Sequence, residues 1–97
     1  MSTEYQRLMQ TIAKAYDFMR NCVELRQQMI AISGAKKLVF ARNNDGDVQA
    51  VLSWPDGREI TVIVTLIEIA KWTPREVPTR VSALMLDRLK KSLPVIA

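Results

Sequence analysis

Two short glycine-containing turns in the middle of the sequence constrain its fold more than any other feature. Residues 43–47 (NNDGD) and 55–57 (PDG) each place a glycine after an aspartate, a pair that readily adopts the backbone angles of tight turns. Alternating apolar and polar residues flank both turns. The pattern predicts strands over residues 37–42, 48–54 and 58–66, joined as a three-stranded antiparallel meander.

One face of this meander is predicted to be buried, because its apolar residues recur at every second position. The residues predicted to point inward from the second and third strands are Val48, Ala50, Leu52, Trp54, Ile60, Val62, Val64 and Leu66. Val51 and Ile63 make the opposite face partly apolar. We therefore expect a helix or another protein to cover part of that face as well.

The first third of the chain is predicted to be one long helix, from about residue 3 to about residue 32. Thr3 and Gln6 are spaced as a capping box, and Gly34 suits the end of a helix. Apolar residues recur between them at alternating spacings of four and three, at Tyr5, Met9, Ile12, Tyr16, Met19 and Val23. This stripe is either the core face of an amphipathic helix or a coiled-coil seam that would pair with a second copy, giving a homodimer, or with a partner protein. Arg26 weakens the coiled-coil interpretation by interrupting the stripe.

The last third is predicted to contain a short helix and a C-terminal helix. The capping-box spacing of Thr65 and Glu68 favours a short helix over residues 66–71, the alternative being a continuation of the third strand. The final helix is predicted from about Thr79 to Ser92, with Pro94 ending it and residues 94–97 either docked or frayed. The whole chain, residues 1–97, is therefore expected to be one α+β domain.

The absence of histidine excludes most of the chemistry that a small domain performs. Without histidine there is no Ser-His or Cys-His pair, and the single Cys22 can form neither an internal disulfide nor a zinc site. We predict no catalytic, cofactor-binding or metal-binding residues. Cys22 is expected to be a structural thiol within the first helix, and one free cysteine suits the reducing cytoplasm of a cell. No membrane segment is expected.

The segment from Trp72 to Lys91 is the strongest candidate for a binding surface. It contains two helix-start patterns, residues 73–76 (TPRE) and 78–80 (PTR), beside a tryptophan and several basic residues. Tryptophan and arginine often dominate protein interfaces, and the net charge of +4 favours an acidic partner. The predicted partner-binding residues are Trp72, Arg75, Arg80, Arg88, Lys90 and Lys91. Two simpler interpretations remain open: a core tryptophan, and a solvated basic surface at a helix C-terminus.

Residues 66–89 also resemble the DNA-binding unit of bacterial helix-turn-helix regulators. In that interpretation the recognition helix opens near Pro78, and Thr79, Arg80 and Ser82 suit contacts with bases or phosphates. The turn is at least one residue too long, contains two prolines and lacks the glycine that such turns often have. A small basic DNA-binding regulator is therefore the alternative function.

The opening of the chain, MSTEYQRLMQTIAKAYDFMRN, and its ending, RVSALMLDRLKKSLPVIA, resemble the small anti-RecBCD accessory proteins of temperate enterobacterial phages. The basic charge suits the members that modify their partner, since a DNA mimic would be acidic. The resemblance implies a non-enzymatic protein that binds host RecBCD through its RecC subunit. It would alter the handling of DNA ends in favour of phage recombination, with at most weak or indirect nucleic-acid contact.

Overall fold

The computed structural model describes residues 3–93 and confirms the α+β class. Two helices precede a three-stranded sheet, and a short helix and a longer helix follow it. The elements are α1 (Thr3–Asn21), α2 (Val23–Ser33), β1 (Lys37–Arg42), β2 (Val48–Ser53), β3 (Glu59–Val64), α3 (Leu66–Ala70) and α4 (Val77–Ser92). The predicted ending at Pro94 and the fate of residues 94–97 lie outside the described residues.

The sheet is the predicted antiparallel meander, in the order β1-β2-β3. Lys37 pairs with Ser53 at one end of the first hairpin, and Arg42 pairs with Val48 at the other. The turn between β1 and β2 is fixed by Asn43, whose side-chain oxygen accepts hydrogen bonds from the backbone amides of Asp45 and Asp47. Gly46 completes this turn with a φ of 87°, a conformation that most other residues would adopt only at a cost.

All four helices contribute to one core on the inner face of the sheet. The buried side chains include Ile12 and Met19 of α1, Leu52 of β2, and Met85 and Leu89 of α4. The outer face is not covered in the same way, because Val39 and Ile63 remain 44% and 38% exposed. The expectation that a helix covers part of the outer face is therefore not met at Ile63, whereas Val51 is half-buried. Coverage of this face by another protein stays a prediction.

The long N-terminal helix is confirmed, but the prediction that it continues to residue 32 is wrong. The chain leaves the helical conformation at Cys22, with φ −84° and ψ 98°, and the Cys22 carbonyl then accepts the amide of Arg26 as α2 begins. This change of direction buries Leu25 and Met29 and leaves Val23 63% exposed. The predicted stripe therefore ends at the break. Cys22 lies in the break, half-buried, and not within a helix.

Side chains from the helices donate hydrogen bonds to backbone carbonyl groups of both edge strands, β1 and β3. On β1, the carbonyl oxygens of Leu38 and Phe40 accept hydrogen bonds from Arg26 and Tyr16. Capping these groups blocks part of a row that would otherwise invite pairing with another strand. The residue that interrupts the apolar stripe, Arg26, thus connects α2 to the sheet and stacks 5.7 Å from the Phe40 ring.

The short helix α3 forms as predicted, whereas α4 begins two residues earlier than expected. Thr65 and Glu68 make the complete capping box, each side chain bonding the other's backbone amide. Residues 73–76 form only a single turn, and α4 then begins at Val77 with Pro78 in its first turn. Val77 is buried, so packing rather than a capping hydroxyl fixes this helix start.

Candidate partner-binding site

Trp72 lies in the connection between α3 and α4, where it separates two surface cavities. Its backbone amide donates to the carbonyl of Ile69, and its half-buried ring packs against the core. A cavity of about 450 Å³ lies on the α4 side, lined by Trp72, Arg80, Ala83, Leu84 and Asp87. The other, of about 240 Å³, lies on the α1 side, lined by Glu4, Arg7, Leu8, Thr11, Ile69, Ala70, Trp72 and Pro74. We call the two cavities with the Trp72 ring the Trp72 surface.

Arg80 lies on the Trp72 surface, where its guanidinium forms only a weak ion pair. Its guanidinium is 3.5 Å from the Glu76 carboxylate, four residues earlier, and both side chains are about half exposed. The backbone amide of Thr73 also donates to Glu76, and this hydrogen bond, more than Arg80, lowers the pKa of Glu76. An exposed pair of this kind contributes little to stability, so Arg80 can exchange its partner readily.

Arg75 is exposed beside this surface but does not line either cavity. Its guanidinium makes no ion pair with any residue in the range 3–93. The Arg75 side chain is therefore accessible to a partner, but no contact in the structure supports its predicted role in partner binding.

Arg88, a predicted partner-binding residue, is not a free surface cation, because its guanidinium is already bonded within the fold. Its guanidinium makes a two-point ion pair with Glu68 of α3, and one of its nitrogens also donates to the carbonyl of Ile63, 2.6 Å away. The hydrogen bond from Arg88 is the main reason that the pKa of Glu68 falls from 4.5 to about 2. Arg88 therefore connects α4 to α3 and β3, and its charge is already used.

Lys90 and Lys91 lie in the last turn of α4, where cations favour the helix dipole. Lys91 forms an exposed ion pair with Asp87, four residues earlier, with 2.9 Å between nitrogen and oxygen. Lys90 is exposed and makes no ion pair within the described chain. Helical spacing places Lys91 on the face that also carries Arg80 and Asp87. The predicted six residues thus divide into a Trp72–Arg80 centre, peripheral cations, and the fold-anchoring Arg88.

Sequence reasoning missed the part of the Trp72 surface that α1 contributes. Arg7 and Glu4 line the smaller cavity opposite Trp72. Their spacing with Leu8 and Thr11 places the four residues along one side of α1. This pattern marks a shared helix side, but nothing in it indicates that a tryptophan 60 or more residues later packs there.

Comparisons with protein-family models, with curated proteins and with solved structures found no significant match. Within residues 3–93 no group of three or more metal-ligating side chains comes together. A search of the same residues for a helix long and apolar enough to cross a membrane found none.

Proposed function

We propose that this chain is a non-enzymatic binding protein that uses the Trp72 surface to contact another protein. Following the sequence resemblance, we propose RecC of the host RecBCD nuclease as that partner. Binding would alter how the nuclease handles DNA ends, in favour of phage recombination in the host cytoplasm. The resemblance suggests the identity of the partner, and the Trp72 surface is the part of the chain that we propose contacts it.

The observation that carries the proposal is the position of Trp72 between two cavities, with an arginine lining each one. Arg80 lines the cavity on one side and Arg7 the cavity on the other. Interface hot spots are enriched in tryptophan and arginine and lie where a partner can fill adjoining pockets. Side chains of a partner that enter both cavities would enclose the exposed part of the Trp72 ring and remove it from water.

The charges at this surface favour an acidic partner. Arg80 is held only by an exposed pair with Glu76, and Arg75, which follows Pro74 of the smaller cavity, has no carboxylate partner among the described residues. A carboxylate on the partner can therefore bind either guanidinium without first breaking a buried ion pair. Long-range attraction to the basic chain would also accelerate the encounter at low salt.

Affinity purification from enterobacterial lysate, followed by mass spectrometry, tests the identity of the partner. We expect the tagged wild-type chain to recover RecC with the other RecBCD subunits, and more of them at low salt. Recovery of no RecBCD subunit would end the proposal for this partner.

Two matched variants, each replacing an exposed alanine by arginine, test whether the Trp72 surface contacts the partner. Ala83 is exposed on α4 and lines the larger cavity, so Ala83→Arg should fill that cavity without removing a core side chain. Ala31→Arg adds the same charge at an exposed helical position on α2. We expect Ala83→Arg to reduce recovery of the partner by about tenfold or more and Ala31→Arg to leave it unchanged.

The alternative function is direct DNA binding through α3 and α4. Exposed Thr79 and Arg80 at the start of α4 favour it, whereas α3 has only five residues and six residues separate it from α4. Helix-turn-helix units use a turn of three or four residues. A gel shift across salt concentrations tests this alternative, which requires a steep salt slope that Arg80→Ala flattens. Absence of binding at low salt would eliminate it.

A further inference from the structure

A third and larger cavity lies between α1 and the turn that joins β1 to β2. Its volume is about 530 Å³, within the usual range for small-molecule sites. The lining residues are Met9, Tyr16, Ala41, Arg42, Asn43, Asn44 and Gly46. It shares no residue with the Trp72 surface, so a ligand here would be independent of the proposed partner contact.

Tyr16, which lines this cavity, has two arginines beside its ring, and one of them, Arg42, also lines the cavity. Its hydroxyl donates to the Phe40 carbonyl at 3.0 Å, which fixes the ring in place. The Arg42 guanidinium lies 5.3 Å from the centre of the ring and that of Arg20 lies 5.7 Å from it. Arg42 reaches the ring because it ends the row of β1 residues, after Leu38 and Phe40, that faces the helices. Two positive charges are therefore positioned around one aromatic ring before any ligand arrives.

The acidic residues near this cavity do not neutralise the two arginines. Arg42 forms no ion pair within residues 3–93, and Arg20 has only an exposed contact with Asp17 at 3.9 Å. Both carboxylate oxygens of Asp47 are occupied, one by the Leu66 amide and the other by the Asn43 side chain. The remaining acid of the turn, Asp45, is exposed and does not line the cavity.

We propose that this cavity binds a phosphate group with close to two negative charges, either free phosphate or a phosphate monoester such as a nucleotide. One carboxylate would neutralise only one guanidinium, whereas a phosphate monoester carries about −1.5 to −2 at pH 7 and offers three oxygen acceptors. The planar fork of Arg42 matches such oxygens, and the side-chain amide of Asn44, which makes no hydrogen bond in the described chain, can donate another. Arg20 does not line the cavity, but it adds a second positive charge beside the same Tyr16 ring.

Calorimetric titration of the full chain at low salt, with AMP, inorganic phosphate and adenosine, tests this site. The informative variant is Arg42→Gln, with Lys14→Gln as its control, since Lys14 is an exposed cation of α1 that does not line the cavity. We expect AMP to bind, Arg42→Gln to weaken it about tenfold, and Lys14→Gln to change it less than about twofold. Adenosine should not bind.

The relative affinities identify the source of the phosphate. Tighter binding of AMP than of inorganic phosphate would support a nucleotide site, and equal binding would support a site for free phosphate. No binding of either at about 1 mM, equal losses in the two variants, or adenosine binding as tightly as AMP would each overturn the proposal. Arg20→Gln, expected to weaken binding less than Arg42→Gln does, provides a second variant should Arg42→Gln lower the melting temperature.

Discussion

Two segments of this chain have the same Thr-x-x-Glu pattern, and in each the glutamate pairs with an arginine of α4. The two segments nevertheless differ in their contacts. In the first, Thr65 and Glu68 form a complete capping box, and Glu68 reaches Arg88, twenty residues later. In the second, Glu76 accepts the Thr73 amide and forms an ion pair only with its helical neighbour Arg80, and Thr73 begins a single turn. We call these the Arg88 unit and the Arg80 unit.

The difference between the units lies in burial and in how far each reaches along the chain. The Arg88 unit is mostly shielded, with side-chain exposures of 34% for Arg88 and 28% for Glu68, against 54% and 44% for Arg80 and Glu76. It connects α3, β3 and α4, whereas the Arg80 unit connects one helical turn to the next. We conclude that the Arg88 unit stabilises the fold and that the Arg80 unit leaves its arginine available to a partner.

The largest expected effect is on stability when each arginine is replaced by methionine. Arg88→Met should reduce the free energy of unfolding by about 2 kcal/mol, because it leaves a shielded carboxylate unpaired and removes the bond to the Ile63 carbonyl. Arg80→Met should cost less than about 0.5 kcal/mol. Urea denaturation measures both. Equal losses would remove the distinction between the units.

Acid should weaken the Arg88 unit over a defined pH range. The pKa of Glu68 is lowered from 4.5 to about 2, so its contribution is fully present above pH 4.5 and is lost as pH falls toward 2. Allowing for partial exposure, we expect about 2 kcal/mol to be lost from the wild type over this interval. The lowered pKa values of Asp56 and Glu76 act in the same direction.

Comparing the wild type with Glu68→Gln isolates the contribution of Glu68 to this acid sensitivity. The difference in unfolding free energy between the two proteins should shrink as pH falls from 4.5 to 2. A difference that stays constant over that range would contradict the assigned role of Glu68.

The smallest expected effect concerns the two threonines. Thr65→Ala should cost about 1 kcal/mol, because the Thr65 hydroxyl accepts the Glu68 amide as part of a complete capping box. Thr73→Ala should cost only a few tenths of that, since the Glu76 amide bonds to the Thr73 backbone carbonyl. Thermal unfolding of the two variants in parallel checks the order, and the reverse order would show that the second pattern also acts as a cap.

Local patterns allowed most of the fold to be predicted, because the signals lie within a few residues of what they determine. The glycine turns fixed the meander, and Thr65 with Glu68 fixed α3. The break at Cys22 has neither proline nor glycine to mark it. It follows from packing, since Leu25 and Met29 are buried only when the helix changes direction there.

The candidate site was predictable only in part, for a related reason. Trp72 and Arg80 could be chosen by residue type and position in the sequence. The pairing of Arg88 with Glu68 and the contribution of Arg7 to the site depend on contacts between distant parts of the chain. A basic residue on a predicted helix face does not reveal whether a carboxylate from another element already binds it.

The most direct test of the account is binding of purified RecBCD to immobilised wild-type, Ala83→Arg and Ala31→Arg chains, with the melting temperature of each measured alongside. We predict that the wild type and Ala31→Arg bind equally, and that Ala83→Arg binds about tenfold more weakly or worse while melting at the same temperature. Absence of binding by the wild type, or equal binding by Ala83→Arg, would contradict the role proposed for the Trp72 surface.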